Sequence, residues 1–245
     1  MTDAPRSPNA VQLLRDLQQS DDLKHQPTAA AGLPAQLAML RAWQADRLAH
    51  TYADLLADPH DRPACEFFLS DIYAPRDFSQ RDHDLERIHQ FLARVLPAAT
   101  IQLITQTVEL NTLTTTLDNH LLRVLVDRLD VTETVTAELY AEAYRLCDNY
   151  AERVHQIDLT HHILSEVGKG ARRLIVGVAM TVAKLPAQSA GWVEIYDFLE
   201  RGYGAFRQMK DAPHFVATIA ERELGLLDRM YADDVAGFMT LAGLS

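Results

Sequence analysis

Apolar residues recur every three or four positions along most of this chain, and nowhere do they settle into the strict alternation of a half-buried strand. No Asn-Gly pair closes a hairpin and no internal repeat is present. The class that follows is all-α. The strongest instance is the run from about 99 to 129, where Leu110, Leu113, Leu117, Leu121 and Val124 form one seam. Prolines cut the rest into segments of helix length, giving a multi-helix orthogonal or up-down bundle of about seven to nine helices.

Residues 1–33 read as a flexible N-terminal segment with one short helix, 34–232 as a single bundle domain and 233–245 as a C-terminal tail. Leu37, Leu48 and Leu55 set the inward face of a helix from about Pro34 to Leu56, which Pro59 stops. Arg41 and Tyr52 share that face. A helix over roughly 79–96 turns Leu85, Ile88, Leu92 and Val95 inward, with His89 on its flank. Val131 to Ile157 reads as one helix on Val135, Leu139, Leu146, Tyr150 and Ile157, with Thr132 as its cap and Glu142, Asn149 and Arg153 along its edge. The segment 159–185 is apolar nearly all round from Leu174 to Ala183, with a kink expected at Gly168 and Gly170. Trp192 to Phe206 makes the next helix. Asp211 and Pro213 open the last, whose stripe is Phe215, Ile219, Leu226 and Met230 with Glu223 inside it.

Polar chemistry is densest between Cys65 and Arg87. Pro75 disfavours the helical region at Ala74, so a first helix ends near Tyr73, and Ser79 with Asp82 makes a capping-box variant for a second. This corner carries Asp71, Tyr73, Arg76, Asp77, Arg81 and Asp82. These charges are expected to bond across to Arg47 and Asp54 on the 34–58 helix, because the short His60–Pro63 connection keeps the two elements adjacent. A ligand site at the same place is the competing reading.

The heptapeptide Phe67–Tyr73, FFLSDIY, together with 47–57 before it and Pro75–Phe78 after it, resembles the proteobacterial family labelled by its FFLEELY motif. Stretches 197–202 and 219–223 resemble it too. Ser70 and Asp71 stand where the label has two glutamates, and Ile72 stands for leucine. The resemblance implies a bacterial protein and brings no catalytic residue with it.

The formal charge of -11 argues against nucleic-acid and anionic-membrane partners. Two cysteines in 245 residues point to buried thiols in a reducing cytoplasm, and the start of the chain has no apolar signal segment. The longest apolar stretch is about half of the ~20 residues that a membrane span needs. A cytoplasmic location is expected.

Two Glu-x-x-His pairs, Glu86/His89 and Glu152/His155, occur with Glu66 upstream and Glu109 or Glu138 between them, the order of a di-iron carboxylate bundle. They are no more frequent than chance delivers, and Glu152 and His155 project away from the apolar stripe. Glu109 and His120 lie roughly 16 Å apart along one helix, too far to share a metal. His89 or His120 would serve as a haem ligand, but nothing selects either. No metal, haem or other cofactor is expected. Lys169, Arg172 and Arg173 beside the two glycines offer an anion-binding helix start as an alternative to solvated cations.

Charged residues on apolar faces carry the reading furthest. Arg41, the Glu142 and Arg153 pair, and Glu223 come from three separate helices, and Glu223 is expected to be mostly buried and bonded to Arg41 or Arg153. If such groups pair off, the protein is a helical scaffold or regulatory module acting through a protein partner or a second copy of itself. If they line a pocket, it is a small-ligand binder or an enzyme.

Overall fold

The computed structural model describes residues 33–69, 98–173 and 193–244, with Gly177, Thr181 and Lys184 between the last two segments. Nine helices and no strand occur among them: α1 Leu33–Thr51, α2 Ala53–Ala57, α3 Arg62–Phe67, α4 Ala98–Asp127, α5 Ala137–Cys147, α6 Tyr150–Ala171, α7 Val193–Gln208, α8 Ala212–Tyr231 and α9 Val235–Ala242. Most of the corner (Asp71, Tyr73, Arg76, Asp77, Arg81, Asp82), the 79–96 helix with Glu86 and His89, the N-terminal 1–32 segment and the apolar run 174–183, apart from Gly177 and Thr181, lie outside the described residues.

Local signals fix several ends. The Asp211 side chain accepts a hydrogen bond from the His214 amide at 3.1 Å, with Pro213 in the first turn of α8, where a missing N–H costs nothing. The expected single helix over 131–157 is two. Thr136, not Thr132, caps α5 by accepting from the Leu139 amide at 3.3 Å, and Asp148 at φ +48° ends it. That break shifts the phase: Ala137, Tyr140, Ala141, Tyr144 and Cys147 face inward, whereas Leu146 and Tyr150 are exposed. Glu142, expected on the apolar edge, is exposed for the same reason.

Gly168 and Gly170 do not interrupt α6, which runs on to Ala171. A Cβ at Gly168 would stand 3.2 Å from that of Ala212, so the residue serves close approach of α6 to α8. Lys169 binds Glu166 at 2.7 Å and Arg172 donates to the Lys210 carbonyl at 3.0 Å. Lys169 lies in the last turn of α6 and Arg172 is its C-cap, so they complement the negative end of the helix dipole and make no anion-binding start. The 233–245 stretch, expected as a tail, carries α9. Phe238 and Ala242 are buried there, and the Thr51 hydroxyl, which also reaches the Arg47 carbonyl, lies 3.2 Å from the Ala242 carbonyl. Gly243 follows at φ +72°, where a side chain would crowd the His50 carbonyl.

Two apolar clusters organise the packing. One gathers Leu40, Leu121, Leu125, Tyr140, Leu226 and Phe238 from α1, α4, α5, α8 and α9. The other gathers Leu48, Leu55, Phe67, Leu164, Phe206 and Phe215 from α1, α2, α3, α6, α7 and α8. Helices α1 and α8 contribute to both, and α6 reaches the first by packing Val154 and Ile157 against it. Between the clusters, on the inward faces of these three helices, the sequence changes from leucine to Gln44 and Arg47, to Gln156 and Thr160, and to Glu223. No helix among the described residues is long and apolar enough to cross a membrane.

Candidate functional site

That polar layer lines a cavity of about 100 Å³ bounded by α1, α4, α5, α6 and α8 and the end of α3, with a second of about 40 Å³ beside it. Helical spacing brings the groups together: Gln44, Arg47, Thr51 and Tyr52 fall on one stripe of α1 and its extension, Thr114 and Asp118 on α4, and Arg153, Gln156 and Thr160 on α6.

One half of the layer is tightly bonded. Arg47 Nη1 meets Glu223 Oε1 at 2.5 Å, and the Tyr52 hydroxyl donates to the same oxygen at 2.7 Å. Burial opposes the charge on Arg47, but Glu223 together with the other groups around it outweighs that, leaving the pKa above that of a free arginine. Next door, Arg222 grips Asp54 with both ends of its fork, at 2.7 and 2.6 Å, and donates to the Thr51 carbonyl at 2.9 Å. The Arg222 hydrogen bond holds the Asp54 carboxyl below its usual range.

The other half is loose. Arg153, 4 % exposed, reaches Gln156 Oε1 at 3.1 Å and Asp118 Oδ1 only at 3.5 Å, and its guanidinium lies 4.6 Å from the centre of the Tyr144 ring. Gln44 approaches both Asp118 Oδ1 and the Tyr140 hydroxyl at 3.4 Å. Nε and Nη2 of Arg153 are buried with no hydrogen-bond partner among the described residues, as is Nε of Arg47. Burial works against the Arg153 charge, but the face of the Tyr144 ring and the Asp118 carboxylate favour it, and the guanidinium stays charged. Burial also drives the Tyr144 hydroxyl well above its ordinary pKa, so it remains protonated beside Tyr140, 3.1 Å away. Cys65 lines the cavity too, yet desolvation lifts its thiol to about 12, which leaves no thiolate to act as a nucleophile.

The partners expected for Glu223 are therefore corrected: it is part-buried and bonded to Arg47, while Arg153 pairs with Asp118 and Arg41 stays half-buried outside the cavity. The ion-pair partners of Arg47 and Asp54 among the described residues both lie on α8, next to each other in sequence; the corner charges expected to meet them lie outside the described residues. Asp118, Gln44, Gln156, Tyr140 and Tyr144 were not singled out from the sequence. The available signal was polar residues spaced by four on the seam side, Thr114/Asp118 and Gln156/Thr160.

Of the Glu/His set, Glu109 and His155 meet at 3.2 Å on the exposed flanks of α4 and α6, while His120 and Glu152 are exposed elsewhere on those helices. Among the described residues no three His, Cys, Asp or Glu side chains converge as metal ligands would.

No curated protein and no solved structure matches the sequence. A family model does match, over residues 23–236, and the chain belongs to that family, described as Domain of unknown function (DUF8198).

Proposed function

We propose that this family member is a small-molecule-binding helical module, with the cavity between the two apolar clusters as its binding site. The observation that carries the reading is Arg153: a charged side chain almost wholly buried, lining the cavity, with two of its three nitrogens unanswered among the described residues. A bundle that needs only stability gains nothing from such a group, because apolar side chains of similar volume fill the same space as stably or more so. Hydrogen-bonding capacity left open beside a cavity is what a binding site keeps for its ligand. A thermal-shift screen of small polar compounds against wild type and Arg153→Met tests it. Compounds that raise the Tm of wild type but not of the folded variant support binding, whereas a screen with no shift, joined to a variant at least as stable as wild type, refutes it.

A second reading, a scaffold or regulatory module acting through a protein partner or a second copy, is favoured by the short bonds of the Arg47, Tyr52 and Glu223 cluster, which read as structural. On that reading wild type and Arg153→Met respond alike to every small molecule.

A further inference from the structure

We infer that the cavity takes a small zwitterion, an ammonium and a carboxylate on a frame of one or two carbons between them, with Asp118 receiving the ammonium and Arg153 the carboxylate. This rests on reading the cavity as a binding site and names the chemistry of its ligand. The argument is one of unmet valence and charge balance. Charge-assisted N–H to carboxylate bonds normally close to about 2.7–2.9 Å. The Arg47–Glu223 contact is closer still, but the Arg153–Asp118 contact stands at 3.5 Å and the Gln44–Asp118 contact at 3.4 Å. Both long contacts fall on Oδ1 of Asp118. An acid and a base face the same space, each short of partners.

Nε and Nη2 of Arg153, the two unanswered nitrogens, share one edge of the guanidinium plane. That edge presents two parallel N–H groups, the fork that a carboxylate engages with both oxygens. Neither atom has exposed surface, so the ligand reaches the edge as the guanidinium turns from Asp118 and Gln156, giving up its contacts at 3.5 and 3.1 Å. Charge then decides between ligand classes. The two arginines of the lining, Arg47 and Arg153, balance its two acids, Glu223 and Asp118. A bare anion would answer Arg153 but stand unpaired beside Asp118, and a bare cation would do the reverse. A zwitterion answers both and brings no net charge into a low-dielectric site.

Size sets the frame. A cavity of about 150 Å³ accepts a six-carbon ring, so one of about 100 Å³ takes roughly four to six non-hydrogen atoms, which is the range of glycine, alanine and β-alanine.

The test is thermal shift and titration calorimetry on the full chain with glycine, L-alanine and β-alanine, against sodium acetate and methylammonium chloride at matched ionic strength. Zwitterions at high concentration stabilise any protein by exclusion, so the readout is a shift that saturates and that Arg153→Met abolishes. At least one zwitterion is expected to raise Tm by about 5 °C when present at about a hundred times its Kd. Acetate and methylammonium are expected to give less than about a fifth of that shift. Asp118→Asn and Arg153→Lys should each weaken binding tenfold or more, the lysine keeping the charge but losing the fork. Acetate as effective as glycine, or undiminished affinity in folded Asp118→Asn, overturns the inference. A neutral compound that shifts Tm where no zwitterion does overturns it too, while leaving the binding site intact. The wild-type probe series decides even if a variant fails to fold.

Discussion

Replacing Glu223 by alanine tests the tight half of the polar layer. The Arg47 side chain is 10 % exposed and that of Glu223 is 23 %, so the substitution strands a guanidinium in a place water barely reaches. Breaking a buried pair from one side costs about 3–5 kcal/mol, and the Tyr52 hydroxyl loses its 2.7 Å bond to the carboxylate, worth about 1 kcal/mol. Two features pull the sum down. Glu223 is itself partly wet, and the adjoining cavity has room for water to solvate Arg47 once the carboxylate is gone. The expected loss is about 3 kcal/mol, or a Tm lower by roughly 6–12 °C in a domain of this size. Chemical unfolding followed by circular dichroism measures it. The companion variant, Arg47→Met with Glu223→Leu, removes both charges and fills similar volume, and should return to within about 1 kcal/mol of wild type. A loss below about 1 kcal/mol in Glu223→Ala, or a double variant as damaged as the single one, refutes the reasoning.

The Asp54–Arg222 pair predicts a pH dependence. The folded-state pKa of Asp54 is depressed, so its stabilisation is present above the ordinary carboxylate pKa of about 3.9 and is lost as pH falls through the lower folded value. Because Asp54 is largely exposed, Asp54→Asn should cost under about 1 kcal/mol at pH 7, and the difference from wild type should vanish near pH 2 in paired denaturation curves. Cys65 and Cys147 are both buried with thiol pKa values raised by desolvation, so mass spectrometry should find neither alkylated by iodoacetamide at pH 8 until urea is added. On α7, Gly204→Ala meets nothing within 4 Å and should stabilise by about 0.5–1 kcal/mol through helix propensity. Gly202→Ala would press a Cβ to 3.0 Å from the buried Phe67 ring, and crowding there should outweigh the same gain, so calorimetry should give the two substitutions opposite signs.

Those parts of the fold that depend on local chemistry were readable in advance. The long α4 seam and the Asp211–Pro213 start of α8 are set by neighbours within one or two turns. The split between α5 and α6 was missed because Asp148 holds the left-handed conformation that sequence reading assigns to glycine, as do Asp130 and Asp233 just after α4 and α8. An aspartate inside an apolar period looks like a solvent-facing helical position, and so the inward face of α5 was placed on Leu139 and Leu146 in place of Tyr140 and Tyr144. Glu223 stood out because a carboxylate interrupts a leucine stripe. Its partner did not, since Arg47 adjoins Leu48 in sequence and only the crossing of α1 with α8 decides which of the two stripe neighbours meets an acid. Arg153 was legible as a charge on an apolar edge, but its partner Asp118 was hidden for a related reason: it sits beside Leu117 on the seam, and burial at such a boundary is set by which helices converge there.

The paired grips on α8 also work as an address. Arg222 and Glu223 are consecutive, and they bind Asp54 and Arg47, which are of opposite sign and two helical turns apart. Exchanging the partners would set arginine against arginine and acid against acid, so the correct docking of the N-terminal helices is written in charge as well as in shape. Apolar stripes alone tolerate a slip of one turn, because one leucine replaces another in the same hole. Here a slip of one turn would part both pairs at once and strand Arg47 away from its carboxylate, at a place water barely reaches. A chain that alters any one of the four positions loses that code unless it also alters the partner, which ties the variation of 47 to 223 and of 54 to 222.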